Sequence, residues 1–270
     1  SLGKLIIGQI QFPVLKNPDS FVLKIASHQK HLLELANQYA SSLKSRGGGI
    51  KSLEIRKLDR HDGNTMAVLH ILCDPCDAMG ANLINQVCEA LKPSLEKLTD
   101  EKIGLCILSN LADQNLVEAK CEISDISEQL GKAIEEAVLF ANLDPYRAST
   151  HNKGIMNGID AVLLATGNDW RAVEAGAHTY ASLQKDKRSL TDWKYQDGRL
   201  CGHIKLPLSV GTVGGMTRIH PTARLCLKIL GVHHSEELAQ ICAAVGLAQN
   251  LAALRALCSE GIVQGHMRLH

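Results

Sequence analysis

Between Leu5 and Leu108 the spacing of apolar side chains changes period in a definite order, and that order restricts the fold more than any other feature of the chain. Leu5-Ile6-Ile7-Gly8-Gln9-Ile10-Gln11 is a short β-branched run ending near Pro13, which reads as a strand. From Ser20 to Leu43 the residues Val22, Ile25, Leu32, Leu35 and Ala36 recur at helical spacing, and Gly47-Gly48-Gly49 stops that helix. Ile50 to Ile55 and Met66 to Leu72 flank a turn at Asp62-Gly63-Asn64, a hairpin. A second helix is expected from about Asp77 to Leu98, and Gly104 to Leu108 supplies a last strand. The order βαββαβ is the ferredoxin-like pattern.

Beyond Asn110 the texture changes. Helices are expected from Ile126 to Ala141, from Asn152 to Ala165 with two glycines, and from Asp169 to Ala181. Ser189 to Trp193 and Leu200 to Leu206 form a hairpin turning at Asp197-Gly198, and helices return from Pro221 to Leu230 and from Ser235 to Leu257. The expected fold class is therefore α+β, a ferredoxin-like small domain followed by a helix-rich large domain. Hydrophobic residues make up 45% of the chain but aromatics only 3%, so Leu, Ile, Val and Ala must fill both cores. A net charge of +1 without a basic run gives no footprint for nucleic acid. No stretch is read as a membrane helix of about 20 apolar residues, and Ser1 opens no secretory signal, so no membrane partner and a cytoplasmic location are expected.

Nine cysteines at irregular spacing do not form a disulfide framework. Cys73-Asp74-Pro75-Cys76 has the form of a redox CxxC ahead of a helix, where the dipole can lower a thiol pKa; small apolar cysteines in a reducing compartment are the alternative.

Three segments carry candidate chemistry. Asp77-Ala78-Met79-Gly80-Ala81-Asn82 opens a helix with Asp77 as its expected N-cap, and its small residues leave backbone amides approachable by a pyrophosphate. A capped helix with small residues for close packing is the other reading, and neither a GxGxxG nor a GxxxxGK[ST] supports a nucleotide. Arg147 to Asp160 packs Arg147, His151, Asn152, Lys153 and Asn157 around the expected start of an apolar helix. A lysine there is either a snorkelling surface residue or an oxyanion-stabilising cation, held charged by a carboxylate such as Asp169 in the neighbouring Gly167-Asn168-Asp169-Trp170-Arg171. At the end of the chain, His266 and His270 stand at i and i+4, but no glutamate completes HExxH, so a general acid or a structural histidine fits better than a zinc ligand. Gly211-Thr212-Val213-Gly214-Gly215 is either an anion cradle or a tight turn.

Thr150-His151-Asn152-Lys153-Gly154-Ile155-Met156-Asn157-Gly158-Ile159-Asp160 resembles the class II 3-hydroxy-3-methylglutaryl-CoA (HMG-CoA) reductases. So do DAMGAN, Ser109-Asn110-Leu111-Ala112-Asp113, DPYRA, ATGNDWRAVEAGAH, the VGG turn, AVGLAQNLAALRAL and GHMRLH. The resemblance implies a ferredoxin-like domain at 1–109 that binds NADH or NADPH, a helix-rich catalytic domain at 110–262 for HMG-CoA, and the start of a closing domain at 263–270. It implies reversible two-step reduction of HMG-CoA to mevalonate and CoA in a homodimer whose sites lie at the subunit interface. Carried over, Lys153 is the cation at the reacting oxygen, Asp169 its partner, and His266 the acid for the CoA thiolate. Arg147 grips the substrate carboxylate, Asn157 and Asn110 complete the polar contacts, and Asp77, Ala78, Met79, Gly80, Ala81 and Asn82 hold the dinucleotide. Three departures accompany this: the family's catalytic glutamate belongs before Ser1, the closing domain should run past His270, and the link from Glu122 to Ala133 looks short. A core fragment of a longer enzyme is expected on those grounds. A non-catalytic acyl-CoA-binding module and a thiol oxidoreductase using Cys73 and Cys76 are the rivals.

Overall fold

The computed structural model describes residues 2–259 and 261, and it divides into two units, 4–114 and 1–3 with 115–270. The division falls at Gln114–Asn115 rather than at the expected Ser109–Asn110, and the expected segment 263–270 lies outside the described residues.

In the first unit, β1 (Ile6–Phe12) is followed by α1 (Pro18–Ser27), α2 (Gln29–Tyr39) and α3 (Ser41–Lys44). Then come the hairpin β2 (Gly49–Asp59) and β3 (Thr65–Asp74), α4 (Ala81–Thr99) and β4 (Cys106–Ser109). The antiparallel sheet has the order β2-β3-β1-β4, so the fold is the expected ferredoxin-like one. Ile10, Phe12, Phe21, Ile25, Leu32, Leu69, Ile71, Ile84, Leu91 and Leu95 fill its core, with Phe12 and Phe21 edge to face at 4.6 Å.

The single long helix expected over 20–43 is instead broken twice. Asn17 caps α1 by accepting from Ser20 N at 3.0 Å; at the first break, Ser27 Oγ and the His28 ring both turn back to the Lys24 carbonyl, at 3.1 and 2.9 Å. Side chains that compete for the helix's own acceptors favour an end over a continuation. Asn37 then ties α2 to β2 as a peptide would, accepting from Ile50 N and donating to Ile50 O, each at 2.9 Å. Against β1 the approach of α4 is closest at Gly8, where a Cβ would lie 2.5 Å from Cys88 Sγ and 2.6 Å from Ile84.

The second unit begins with a strand that the reading of the sequence passed over, β5 (Leu116–Ile123). It continues through α5 (Glu128–Leu143), α6 (Pro145–Ala165), α7 (Trp170–Leu183), β6 (Thr191–Gln196), β7 (Arg199–Pro207), the short α8 (Gly215–Ile219), α9 (Pro221–Leu230) and α10 (Ser235–Cys258). The antiparallel sheet β5-β7-β6 packs against helices around Ile155, Met156, Ile159, Leu163, Trp193, Leu200, Ile204 and Leu238. The expected hairpin turn is present, with Asp197 and Gly198 at φ 52° and 78°, the left-handed pair that matches strand twist.

One expectation is corrected here: α10 is by length and composition long and apolar enough to cross a membrane. A third of it is nevertheless buried inside the protein, and it carries the hydrogen-bonded Asn250 into the second core.

Two glycines make the packing testable. Gly8→Ala forces a methyl into Cys88 and Ile84 and should cost about 1–3 kcal/mol in urea unfolding, as overpacked cores do. Gly154→Ala, on α6 with nothing within 4 Å of the new methyl, should be neutral or stabilise by up to about 1 kcal/mol.

Candidate active site

The lysine motif lies within a helix rather than at its start. Asp144 caps α6 by accepting from Tyr146 N and Arg147 N at 3.3 and 3.1 Å, and Pro145 occupies the first turn, where its missing N–H costs nothing. The helix therefore starts at Pro145, not at Asn152, and Arg147 to Asp160 is continuous α-helix. Lys153, Asn157 and Asp160 are spaced i, i+4 and i+7 and fall on one stripe. Lys153 and Asn157 are exposed. Arg147 stands six residues before Lys153, about a third of a turn round the helix from that stripe, on the side of His151, whose charged form it disfavours.

His151 and Asn152 face inward and pin the helix. Asn152 accepts from Leu190 N at 3.0 Å and donates to Arg188 O at 2.7 Å, clamping the chain that leads into β6. His151, 2% exposed, meets Thr191 Oγ1 at 2.9 Å and Asn250 Nδ2 at 3.3 Å through Nε2. Asn250 Oδ1 in turn accepts from Thr191 Oγ1 at 2.9 Å and from Trp193 Nε1 at 2.8 Å. Burial first, and the Arg147 charge second, push the His151 pKa down to about 4, so the ring is neutral at ordinary pH. Neither Asn250 nor the inward role of His151 was anticipated; polar residues recurring on an apolar helix face were the available signal.

Asp169 is the N-cap of α7, with Oδ1 accepting from Ala172 N at 3.1 Å. Among the described residues no ion pair joins it to Lys153, and both side chains are exposed. The two stand on helices joined by the short turn 166–169. Asn168 secures that turn to the glycine-rich segment, accepting from Gly211 N at 2.8 Å and donating to Gly211 O at 3.2 Å.

In the first unit, Asp77 is not the helix cap. The N-cap of α4 is Gly80, at φ 86°, where a Cβ would lie 2.6 Å from Ile6 and 2.7 Å from Pro75. Glycine supplies the left-handed turn there and offers no side chain to the first-turn amides. Ala78, Met79, Gly80 and Ala81 are partly buried and Asn82 is exposed, an opening helix turn that fits a pyrophosphate. Asn110, exposed, follows β4 in this same unit. A hollow of about 690 Å³ beside α2 and α3 is lined by Glu34, Asn37, Gln38, Ser41, Lys44 and Ser45. His266 lies outside the described residues, as does His270, and among the described residues no group of three or more metal-ligating side chains gathers. Cys73 is fully buried and its thiol is pushed up to about 12, chiefly by burial, the opposite of what a thiol oxidoreductase needs.

The histidine gives a pH test. Its pKa is lower in the folded chain than in the unfolded one, so its share of stability is complete above about pH 6.5 and is lost as pH falls towards about 4. His151→Gln should flatten the pH dependence of unfolding free energy over that window by up to about 1.4 kcal/mol per pH unit. Parallel curves for the two proteins would mean that the ring is not held neutral.

Comparison with known proteins identifies the family. The family model of hydroxymethylglutaryl-coenzyme A reductase matches residues 2–270. A 3-hydroxy-3-methylglutaryl-coenzyme A reductase of Archaeoglobus fulgidus is 46% identical over 99% of this chain and 62% of its own length. A probable reductase of Borreliella burgdorferi is 36% identical over 100% of this chain and 63% of its own. The structure of the class II reductase from Streptococcus pneumoniae bound to NADPH superposes with a TM-score of 0.91 at 43% identity, covering 95% of this chain and 72% of that one. The chain thus spans a little under two thirds of the curated relatives' length. With a family model matched from end to end and relatives this similar, the chain belongs to the hydroxymethylglutaryl-coenzyme A reductase family.

Proposed function

We propose that the intact protein catalyses the reversible, NAD(P)H-dependent reduction of HMG-CoA to mevalonate and CoA. The observation that carries the reading is the pinned helix α6, which presents Lys153 and Asn157 one turn apart on an exposed stripe, in a chain that the family model matches over residues 2–270. Reduced nicotinamide, when bound, supplies hydride. Lys153 stabilises the oxyanion as it forms, and Asp169, on the adjoining helix, keeps the lysine charged once the two close on substrate. Arg147 takes the substrate carboxylate, Asn157 holds a polar group of the substrate, Asn110 has the binding role that the resemblance gives it, and His266 protonates the departing thiolate. Asp77 to Asn82 receive the pyrophosphate at the start of α4.

For the cofactor, the hollow beside α2 and α3 offers Ser41, Lys44 and Ser45 to a 2′-phosphate, with Glu34 as its one acid. The Streptococcus relative was solved with NADPH. NADPH should be accepted about as well as NADH, and a roughly hundredfold preference for NADH in steady-state kinetics overturns this reading. Leu139, Phe140, Leu143 and Tyr146, exposed by 45–85% at the junction of α5 and α6, form an apolar face that suits a second copy of the chain. A homodimer or a multiple of it is expected by sedimentation of the intact enzyme; a stable, active monomer refutes it. The cysteines suit the reducing cytoplasm.

The roles of lysine and histidine separate by substrate. A thiolate of pKa near 8.5 benefits from a histidine acid, whereas reduction of mevaldehyde involves no sulfur. His266→Gln should therefore cripple reduction of the thioester and spare that of free mevaldehyde, while Lys153→Ala should abolish both. A Lys153→Ala enzyme that kept both activities would refute the role given to the lysine, and a wild-type protein that binds HMG-CoA but reduces neither substrate would favour the acyl-CoA-binding module.

A further inference from the structure

The stripe of α6 that carries Lys153 and Asn157 continues to Asp160, which has no part in the chemistry above. Asp160 Oδ1 is shut off from solvent, and among the described residues no N–H or O–H group donates to it. What its carboxyl meets is the carboxyl of Glu174, one of the partly buried side chains of α7. A buried carboxylate oxygen without a donor is costly, and two carboxylates in contact with no cation between them do not both ionise. One proton held between them removes both penalties, because each acid then gives or receives a hydrogen bond. In agreement, the Asp160 carboxyl is pushed up to about 7, first by burial and then by Glu174.

Burial and Glu174 are what act on Asp160, and on α7 the charged or titratable neighbours Arg171 and His178 stand three residues before and four after Glu174. Val245 and Gln249 of α10 approach α6 at Gly158, and Ala223 of α9 approaches the α6–α7 turn at Gly167. Facing Asp160 from α7 is Glu174. The pair therefore joins α6 to α7 at a point between Lys153, on the first helix, and Asp169, the cap of the second.

We propose that Asp160 and Glu174 form a proton-sharing carboxyl pair that sets α7, and with it Asp169, against the stripe of α6 that presents Lys153. They are positioning residues, and this role rests on the catalytic reading of Lys153 and Asp169. Loss of the Asp160 proton at rising pH puts two negative charges in contact and loosens the joint.

The test uses the intact enzyme, with Asp160→Asn and Asp160→Ala measured beside wild type. A carboxyl whose pKa is raised on folding stabilises fully below its unfolded value, about 3.9, and loses that contribution as pH rises towards 7. Asp160→Asn keeps a donor and cannot ionise. Its stability relative to wild type should increase as pH rises from about 4 to about 7 and then level off; parallel curves overturn the shared proton. In kinetics, Asp160→Asn should stay within about threefold of the wild-type kcat at pH 6 and lack the wild-type decline above pH 7, and Asp160→Ala should lose about tenfold in kcat with the KM for NADPH unchanged. A stability result as expected with an unaltered kcat profile overturns the positioning role. If wild type itself reduces no HMG-CoA, the functional reading fails and the stability arm still decides the pair.

Discussion

The direction in which α6 presents its exposed stripe depends on one buried hydrogen-bonded cluster. His151 of α6, Thr191 and Trp193 of β6 and Asn250 of α10 meet where three elements converge, and Asn152 adds a clamp to the chain entering β6. Apolar packing alone leaves a helix some freedom to rotate or slide, because methyl groups accept many neighbours. Hydrogen bonds between fixed atoms in a dry interior do not, since a slip strands donors and acceptors at the price of desolvation. The cluster therefore sets the rotation of α6. Once that is set, the opposite stripe with Lys153 and Asn157 has a defined direction without any contact of its own.

The first unit uses the backbone for the same purpose. Asn37 substitutes for a missing strand at the edge of β2, and Gly8 lets α4 approach β1 to a distance that a side chain would forbid. Close approach then places the turn through Gly80 at one end of the sheet. Gly80 is left-handed there and lies too close to Ile6 and Pro75 for a side chain. In both units, then, the candidate binding groups sit on helices whose placement is settled by buried residues on the far face.

Much of this was legible. The order of periods in the first unit, the Asp197-Gly198 hairpin and the bounds of α9 all follow from local rules that the structure obeys. Strand β5 was also written in the sequence, since Val117, Ala119, Cys121 and Ile123 alternate with Glu118, Lys120 and Glu122. The start of α6 was misplaced because the polar run from Arg147 to Asn152 looks like a loop, although Asp144-Pro145 is a sound start signal. Asp77 failed as a cap because a glycine's close packing, invisible to local rules, moved the helix start to Gly80. The candidate site residues were named by motif, whereas the buried residues that hold their helix in place were not. Asn250 lies 99 residues along the chain from His151, and no local pattern reports a contact across that distance.

That α6 runs unbroken from Pro145 to Ala165 has a consequence for how this segment can vary over generations. In a loop, a residue gained or lost is absorbed by slack. In a helix each residue turns the chain by about 100°, so a single insertion between His151 and Asp160 would swing everything beyond it to another side of the axis. Substitution can be tried there one letter at a time; changes of length are confined to the flanking turns. The segment is a ruler, and rulers tolerate new marks but not missing divisions.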